Sequence, residues 1–276
     1  DLQLGPSHYA IAGVHYLMDD LDTDKSTVTR SAIGPRPPTV QTEWRRDRAS
    51  LRTVSAFMQD EWSIAPTVKL TGGARWYHVT SALDESSEAI RPDQRSRTTA
   101  DWVTSLGSTW AVAEGTTLRA LYSEGYIMPT LLQLFSDNSA GRGTLTYANP
   151  ELAPETSRNI ELGARYHRDG LQLDLAIYHT RARDFITSQE CGAGSSSPCL
   201  DHAIPGSFIY VNADRATSRG IELMAEYALQ DSAFTVYGSA AWAQRRLELA
   251  LLAQDIADSS LPRLTGRVGL RYDDIF

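Results

Sequence analysis

The feature that most constrains this chain is the spacing of its apolar residues, which repeats every two positions in run after run. Residues 171–177 read Leu-Gln-Leu-Asp-Leu-Ala-Ile, with Gln172 and Asp174 facing away from the leucines. Residues 160–167 set Ile160, Leu162, Ala164 and Tyr166 against Glu161, Arg165 and His167. The same alternation runs through 67–78, 221–227 and 264–272, and less regularly through 7–19, 51–64, 99–113, 116–126 and 232–243. A period of two is that of a strand with one apolar face. No run of 18 apolar residues is present, so no helix is expected to cross a membrane. A membrane β-strand needs only about 9–11 residues with alternate ones apolar.

The connections narrow the choice. Tight turns are expected at Ala65-Pro66, Glu114-Gly115, Arg168-Asp169-Gly170 and Leu229-Gln230-Asp231. Long polar segments lie between them, at about 20–50, 82–98, 127–156, 187–206 and 249–262. Short and long connections therefore alternate along ten candidate strands. This is the layout of an antiparallel up-and-down transmembrane β-barrel, with short periplasmic turns and long extracellular loops. Trp62, Trp76, Trp102, Trp110, Tyr122, Tyr126, Tyr166, Tyr178, Tyr210, Tyr227, Trp242 and Tyr272 fall mainly near strand ends, where barrels carry aromatic girdles. Glu61, Asp174, Glu222 and Glu226 are expected in the lumen, paired with Arg75, Arg165 and Arg267.

Other features bound function. The net charge is −8, which disfavours a nucleic-acid partner. The histidines at 8, 15, 78, 167, 179 and 202 are scattered, and no catalytic or metal constellation shows, so no enzyme is expected. Cys191 and Cys199 bracket a Gly/Ser loop and suit a small disulfide, with free thiols as the alternative. Residues 241–257 favour helix by propensity. Asp1-Leu2-Gln3-Leu4 lacks the basic and apolar regions of a secretion signal, so the numbering is expected to begin inside a mature protein.

Asn149-Pro-Glu-Leu-Ala-Pro-Glu-Thr-Ser157 resembles a box of TonB-dependent outer-membrane receptors. Tyr122-Ser-Glu-Gly-Tyr-Ile-Met-Pro-Thr130 resembles the strand end those receptors write Phe-Arg-Ala-Pro, with only Pro129 kept. Tyr210-Val-Asn-Ala213 and Ala216-Thr-Ser-Arg-Gly-Ile-Glu222 are similar to a later strand, and Phe57–Trp62 and Gly72–Trp76 to two earlier ones. The resemblance implies a plugged barrel of about 22 strands, of which roughly ten are represented here, with the plug and last strands outside this chain. It assigns Pro129, Asn149, Pro150, Glu151, Leu152, Pro154, Glu155, Gly220 and Glu222 scaffold roles. Prolines 150 and 154 would stiffen a loop's descent into a strand, and Gly220 would relieve crowding.

The function implied is active import of an iron complex across a bacterial outer membrane, energised by TonB through an N-terminal segment absent here. The expected cargo is a ferric siderophore, and the alternative is haem; cobalamin and oligosaccharides remain open. No intrinsic cofactor is expected. Lipopolysaccharide and outer-membrane lipid are the other expected partners. Loop arginines with aromatic neighbours suit an anionic chelate. Trp44, Arg91, Phe135, Arg142 and Tyr147 are the candidate ligand residues, Tyr147 also as a phenolate for ferric haem. Arg36, Arg45, Arg46, Arg48, Arg95 and Arg97 stand in the same loops. The class set against transport is a passive porin or adhesin barrel.

Overall fold

The computed structural model describes residues 2–3, 5–31, 39–87, 91–139, 145–191, 206–230, 232–249, 254–258 and 261–272. The ten expected strands are all present, and most are longer than their apolar cores. They are β2 (His8–Ser31), β3 (Thr39–Ala65), β4 (Val68–Ser86), β5 (Ser96–Ala113), β6 (Thr116–Ile127), β9 (Glu155–Arg168), β10 (Leu171–Cys191), β11 (Ser207–Ala228), β12 (Phe234–Leu249) and β14 (Leu264–Tyr272). Short pieces complete the sheet: β1 (Leu2–Gln3), β7 (Asn138–Ser139), β8 (Leu145–Tyr147) and β13 (Gln254–Ala257). Each long strand pairs antiparallel with its neighbour in sequence, and β6 pairs with β9 across the loop between them. Among the described residues the one parallel pairing is β8 with β11.

Two expectations fail here. Much of the expected loop at 20–50 is strand: β2 and β3 stay paired from His8↔Trp62 to Ser31↔Thr39. Residues 241–249, expected to favour helix, are strand, because β12 pairs on one side with β11 and on the other with β13 and β14. Intrinsic propensity is a weak prior beside two ladders of hydrogen bonds. Of the expected disulfide, Cys191 is buried at the outer end of β10, and Cys199 lies outside the described residues.

The turns have local causes. Asp169 and Gly170 hold φ of 50° and 79°, the left-handed pair that a two-residue hairpin turn requires. Gly115 has φ 73°, and a Cβ there would meet the His167 carbonyl oxygen at 2.3 Å. The turns also tie neighbouring hairpins: His167 N–H donates to Gly115 O and Ala228 N–H to Gly170 O, at 2.8 and 2.9 Å.

Register sorts the side chains onto two faces. Val14, Met58, Trp62, Trp102, Leu106, Ile160, Leu162, Leu175, Ile177, Ile221, Leu223, Trp242, Val268 and Leu270 stand exposed on one of them. An apolar face of that extent has lipid as its natural solvent. Near the tight turns this face carries Trp62, Trp110, Tyr166, Tyr227, Phe234 and Tyr272; some six to eight residues further up the strands it carries Trp76, Trp102, Tyr122 and Trp242. These are two aromatic girdles. Tyr126 and Tyr178, expected in the girdles, point to the opposite face, and Tyr210 packs under the outer loop.

The inner face is polar. Arg119 Nη2 meets Asp174 Oδ1 at 2.7 Å, Arg165 Nε meets Asp174 Oδ2 at 2.8 Å, and Arg119 Nε lies 3.5 Å from Glu161. Asp174 thus has its expected partner. Glu61 pairs instead with Lys69, and Glu226 with Arg271 rather than Arg267.

Candidate functional site

The wall is notched. β6 stops at Ile127 and β9 starts at Glu155, while β10 continues to Cys191 and β4 to Ser86. Residues 128–154 fold inward across this notch. The helix α1 (Leu131–Phe135) is capped by Thr130, whose hydroxyl accepts from Gln133 N while the Gln133 side chain accepts from Thr130 N. This reciprocal cap satisfies two donors that a short helix otherwise leaves open. Leu131, Leu134, Phe135 and Leu152 pack as a buried cluster with Ala49 and Leu83, against Leu21, Leu51, Ile186 and Tyr210. These partners come from the inner faces of β2, β3 and β4 and from the outer ends of β10 and β11.

Polar contacts fix the same loop. Lys25 Nζ donates to Ser136 Oγ at 2.7 Å and also to the Asp137 carbonyl. Arg45 meets Asp137 at 2.9 Å, and Ser136 Oγ donates to Asp47 at 3.3 Å.

The 149–157 box is the second half of this staple. Asn149 Nδ2 donates to Tyr210 O at 2.9 Å, and its Oδ1 accepts from Glu151 N at 3.0 Å. Pro150 and Glu151 form the turn, and Glu151 accepts from Arg91 and Gln94 at 2.9 and 3.0 Å. Leu152 is fully buried, and its carbonyl accepts from Arg97 Nη1 at 2.9 Å. Ala153 exchanges two hydrogen bonds with the Asn212 side chain, at 2.8 and 3.0 Å. Pro154 ends the loop where β9 begins, and Glu155 accepts from Ile186 N at 2.7 Å. Pro129 is fully buried at the loop's other root. Gly220 is needed because a Cβ would meet Tyr178 Oη at 2.5 Å and Trp242 O at 2.6 Å, and Glu222 follows on the same inner face.

Glu155 lies above the membrane span, and burial pushes its carboxyl pKa up. The native state then holds this proton more tightly than the unfolded chain does. That stabilisation is complete below the ordinary glutamate pKa and is lost as pH rises through the raised native value. Glu155→Gln keeps an acceptor for Ile186 N–H and removes the titration. Amide exchange at Ile186, corrected for its intrinsic pH dependence, should lose protection with rising pH in the parent and stay level in the variant; equal slopes would refute the assignment.

The candidate ligand residues separate. Phe135 is 5% and Tyr147 8% exposed, Tyr147 in a cluster with Cys191, Ile209 and Val211. Arg91 is exposed and holds Glu151. Trp44 is 72% exposed, on the outward face of β3. Arg142 and Arg36 lie outside the described residues.

A set not singled out in the sequence lies on the inner wall beneath the loop. Arg75 lies 5.4 Å from the Phe57 ring centroid and 5.1 Å from that of Tyr77, and donates to Ser55 Oγ at 2.8 and 3.2 Å. Tyr77 stacks on Tyr126 at 5.4 Å, and Tyr126 Oη lies 2.7 Å from Thr99 Oγ1. A cation held between ring faces, with further aromatic surface beside it, can receive an anionic ligand with planar parts. The signal was present as Phe57, Arg75 and Tyr77, but strand register alone puts them side by side.

A sheet apolar outside and polar inside, with a long loop packed over its inner face, is a stretch of transmembrane β-barrel wall. The chain belongs to the TonB dependent receptor-like β-barrel family, whose model matches residues 1–276. Members are transport receptors built on outer-membrane barrels. The chain is 30% identical over 222 residues to the ferric enterobactin receptor of Pseudomonas aeruginosa, covering 77% of this chain and 27% of that protein. It is 29% identical over 154 residues to the heme/hemopexin utilization protein C of Haemophilus influenzae, covering 48% of this chain and 21% of that protein. It therefore spans less than a third of each. The solved copper transporter OprC superposes with a TM-score of 0.74 over 98% of this chain and 39% of its own, at 22% identity, a likeness of fold alone.

Proposed function

We propose that this chain is part of the wall of an outer-membrane receptor that binds a ferric siderophore from outside and imports it, energised by TonB. The observation that carries the reading is the Arg75 cation between Phe57 and Tyr77 on the lumen side, beneath the 128–154 loop. A catecholate iron complex is anionic and planar in its parts, and fits such a surface. The name of the Pseudomonas relative supports the same cargo. Iron is substrate here, and the wall needs no resident cofactor. On this reading the complete barrel has about 22 strands around a plug, and TonB engages a segment outside this chain. Haem is the second reading, favoured by the name of the Haemophilus relative.

The test is a fluorescence-quenching titration of the detergent-purified complete receptor with a ferric tris-catecholate, beside one with haemin. Saturable catecholate binding is expected, weakened about tenfold or more by Arg75→Ala, since charge-assisted contacts contribute about 1.5–3 kcal/mol. Unchanged binding in that variant would remove Arg75 from the site. Saturation by haemin and not by the catecholate would replace the siderophore reading with haem.

A further inference from the structure

We infer that Tyr77 and Asp101 on the lumen wall bind the ferric ion directly, completing its coordination in a tetradentate catecholate complex that leaves two iron positions open. This rests on the siderophore reading and names the class of chelate. Tyr77 on β4 and Asp101 on β5 are direct cross-strand partners. Both face the lumen, because the next pair down, Trp76 and Trp102, faces lipid. Opposite residues carry their Cβ atoms about 4.5–5.5 Å apart, so both side chains rise from one spot of the wall. On its other side Tyr77 pairs with Ser55, which accepts from Arg75. The spot therefore adjoins the Arg75 cation.

Both oxygens are left open. The Tyr77 ring is held, with Arg75 5.1 Å from its centroid and Tyr126 stacked on it at 5.4 Å. Its hydroxyl makes no hydrogen bond among the described residues, whereas that of Tyr126 lies 2.7 Å from Thr99 Oγ1. Asp101 accepts from Trp102 N at 2.8 Å and has no ion pair among the described residues. Other lumen carboxylates have cations: Asp174 has Arg119 and Arg165, Glu61 has Lys69, Glu226 has Arg271 and Asp137 has Arg45.

Asp101 separates the classes of cargo. A carboxylate beside a guanidinium that receives anions repels those same anions. The repulsion turns to attraction when the carboxylate bonds to the metal they carry. In a hexadentate tris-catecholate the ferric ion is enclosed, and Asp101 meets only negative charge. In a bis-catecholate two positions hold water. A phenolate and a carboxylate, both hard oxygen donors suited to ferric iron, replace those waters. Each iron–water bond breaks as an iron–oxygen bond to the wall forms, and the Tyr77 phenol proton leaves to solvent with the released water. The iron stays ferric throughout. Arg75 and Phe57 are left to hold the catechol rings.

The experiment uses the complete, detergent-purified receptor, produced with ordinary or ring-deuterated tyrosine. It is loaded with the ferric complex of a tetradentate bis-catecholate or of a hexadentate tris-catecholate. Resonance Raman spectra excited in the charge-transfer band should show iron–phenolate modes that shift on deuteration with the bis-catecholate, and none with the tris-catecholate. Tyr77→Phe, which keeps the ring, should abolish those modes. In fluorescence titrations the affinity ratio of bis- to tris-catecholate should fall about tenfold or more in Tyr77→Phe and about threefold or more in Asp101→Asn. Arg75→Ala should weaken both complexes together and leave their ratio in place. Absence of deuteration-sensitive modes, their survival in Tyr77→Phe, or a parental ratio in that variant overturns the inference while leaving the siderophore reading to the Arg75 result. Failure of both complexes to bind removes that reading, and this inference with it.

Discussion

Leu152→Ala should release the 128–154 loop from the wall while leaving the barrel strands paired. Leu152 is fully buried between α1 and the inner faces of β3 and β4. Truncating a buried leucine costs about 2–5 kcal/mol, as lost transfer energy plus the cavity left behind. The loop is held by its buried cluster, its polar contacts and the short β8–β11 pairing, and it takes no part in the long antiparallel ladders, so the cost falls on local opening rather than global unfolding. At about 1.4 kcal/mol per decade, opening should rise by roughly 30-fold or more. Hydrogen exchange at Leu152 and Asn149, which donate to Asn149 O and Gln133 O, should quicken accordingly. Exchange in the β9–β10 ladder should not change. Asn149→Ala loses the Tyr210 bond and the local turn bond but no packing, so its effect should be smaller, about 1–3 kcal/mol. An unaltered exchange pattern in Leu152→Ala would mean that the hydrogen bonds of Asn149 and Asn212 hold the loop without the cluster.

The order of these two effects shows what the sequence could and could not reveal. Period-two runs and alternating connections made the strands legible, because each strand carries its own facing pattern. Strand ends were less legible. Above the membrane the outward face of β2 and β3 is wet and the inward face meets a loop largely through polar groups, so Asp22, Asp24, Arg46 and Arg48 look like loop residues although they stand in register. Residues 241–249 favour helix for a related reason: Trp242, Leu247 and their neighbours are strand because β11 lies on one side of them and β13 and β14 on the other. The box was visible as a motif, and its work as a staple follows from partners 59 and 61 positions away, Asn212 and Tyr210. Tyr147 and Phe135 look in the sequence like aromatics of an open loop, but that loop packs down and buries them. The Arg75 wall was invisible for one cause: it gathers single residues from neighbouring strands, and register alone aligns them.

Leu175→Arg should block insertion far more than Leu173→Arg, although both side chains face lipid. The facing of Leu173 follows from its pairing with Tyr166 and Ala225 on the outward side. Its height is low, because β10 begins at Leu171, beside the tight turn, and runs on to Cys191. Leu173 therefore stands near the periplasmic interface, where an arginine can reach headgroups and costs about 0–1 kcal/mol. Leu175 is higher, 42% exposed to the lipid side, between Ala164 and Leu223. A midplane arginine costs about 2–4 kcal/mol, and water cannot follow it without thinning the bilayer. The readout is the folded fraction of the complete receptor in outer-membrane lipid vesicles, followed by heat-modifiable gel migration across a urea series. Leu175→Arg should shift the unfolding midpoint well below the parent, and Leu173→Arg only slightly. Equal shifts would mean that the bilayer sits lower on β10 than the turn at Asp169-Gly170 implies.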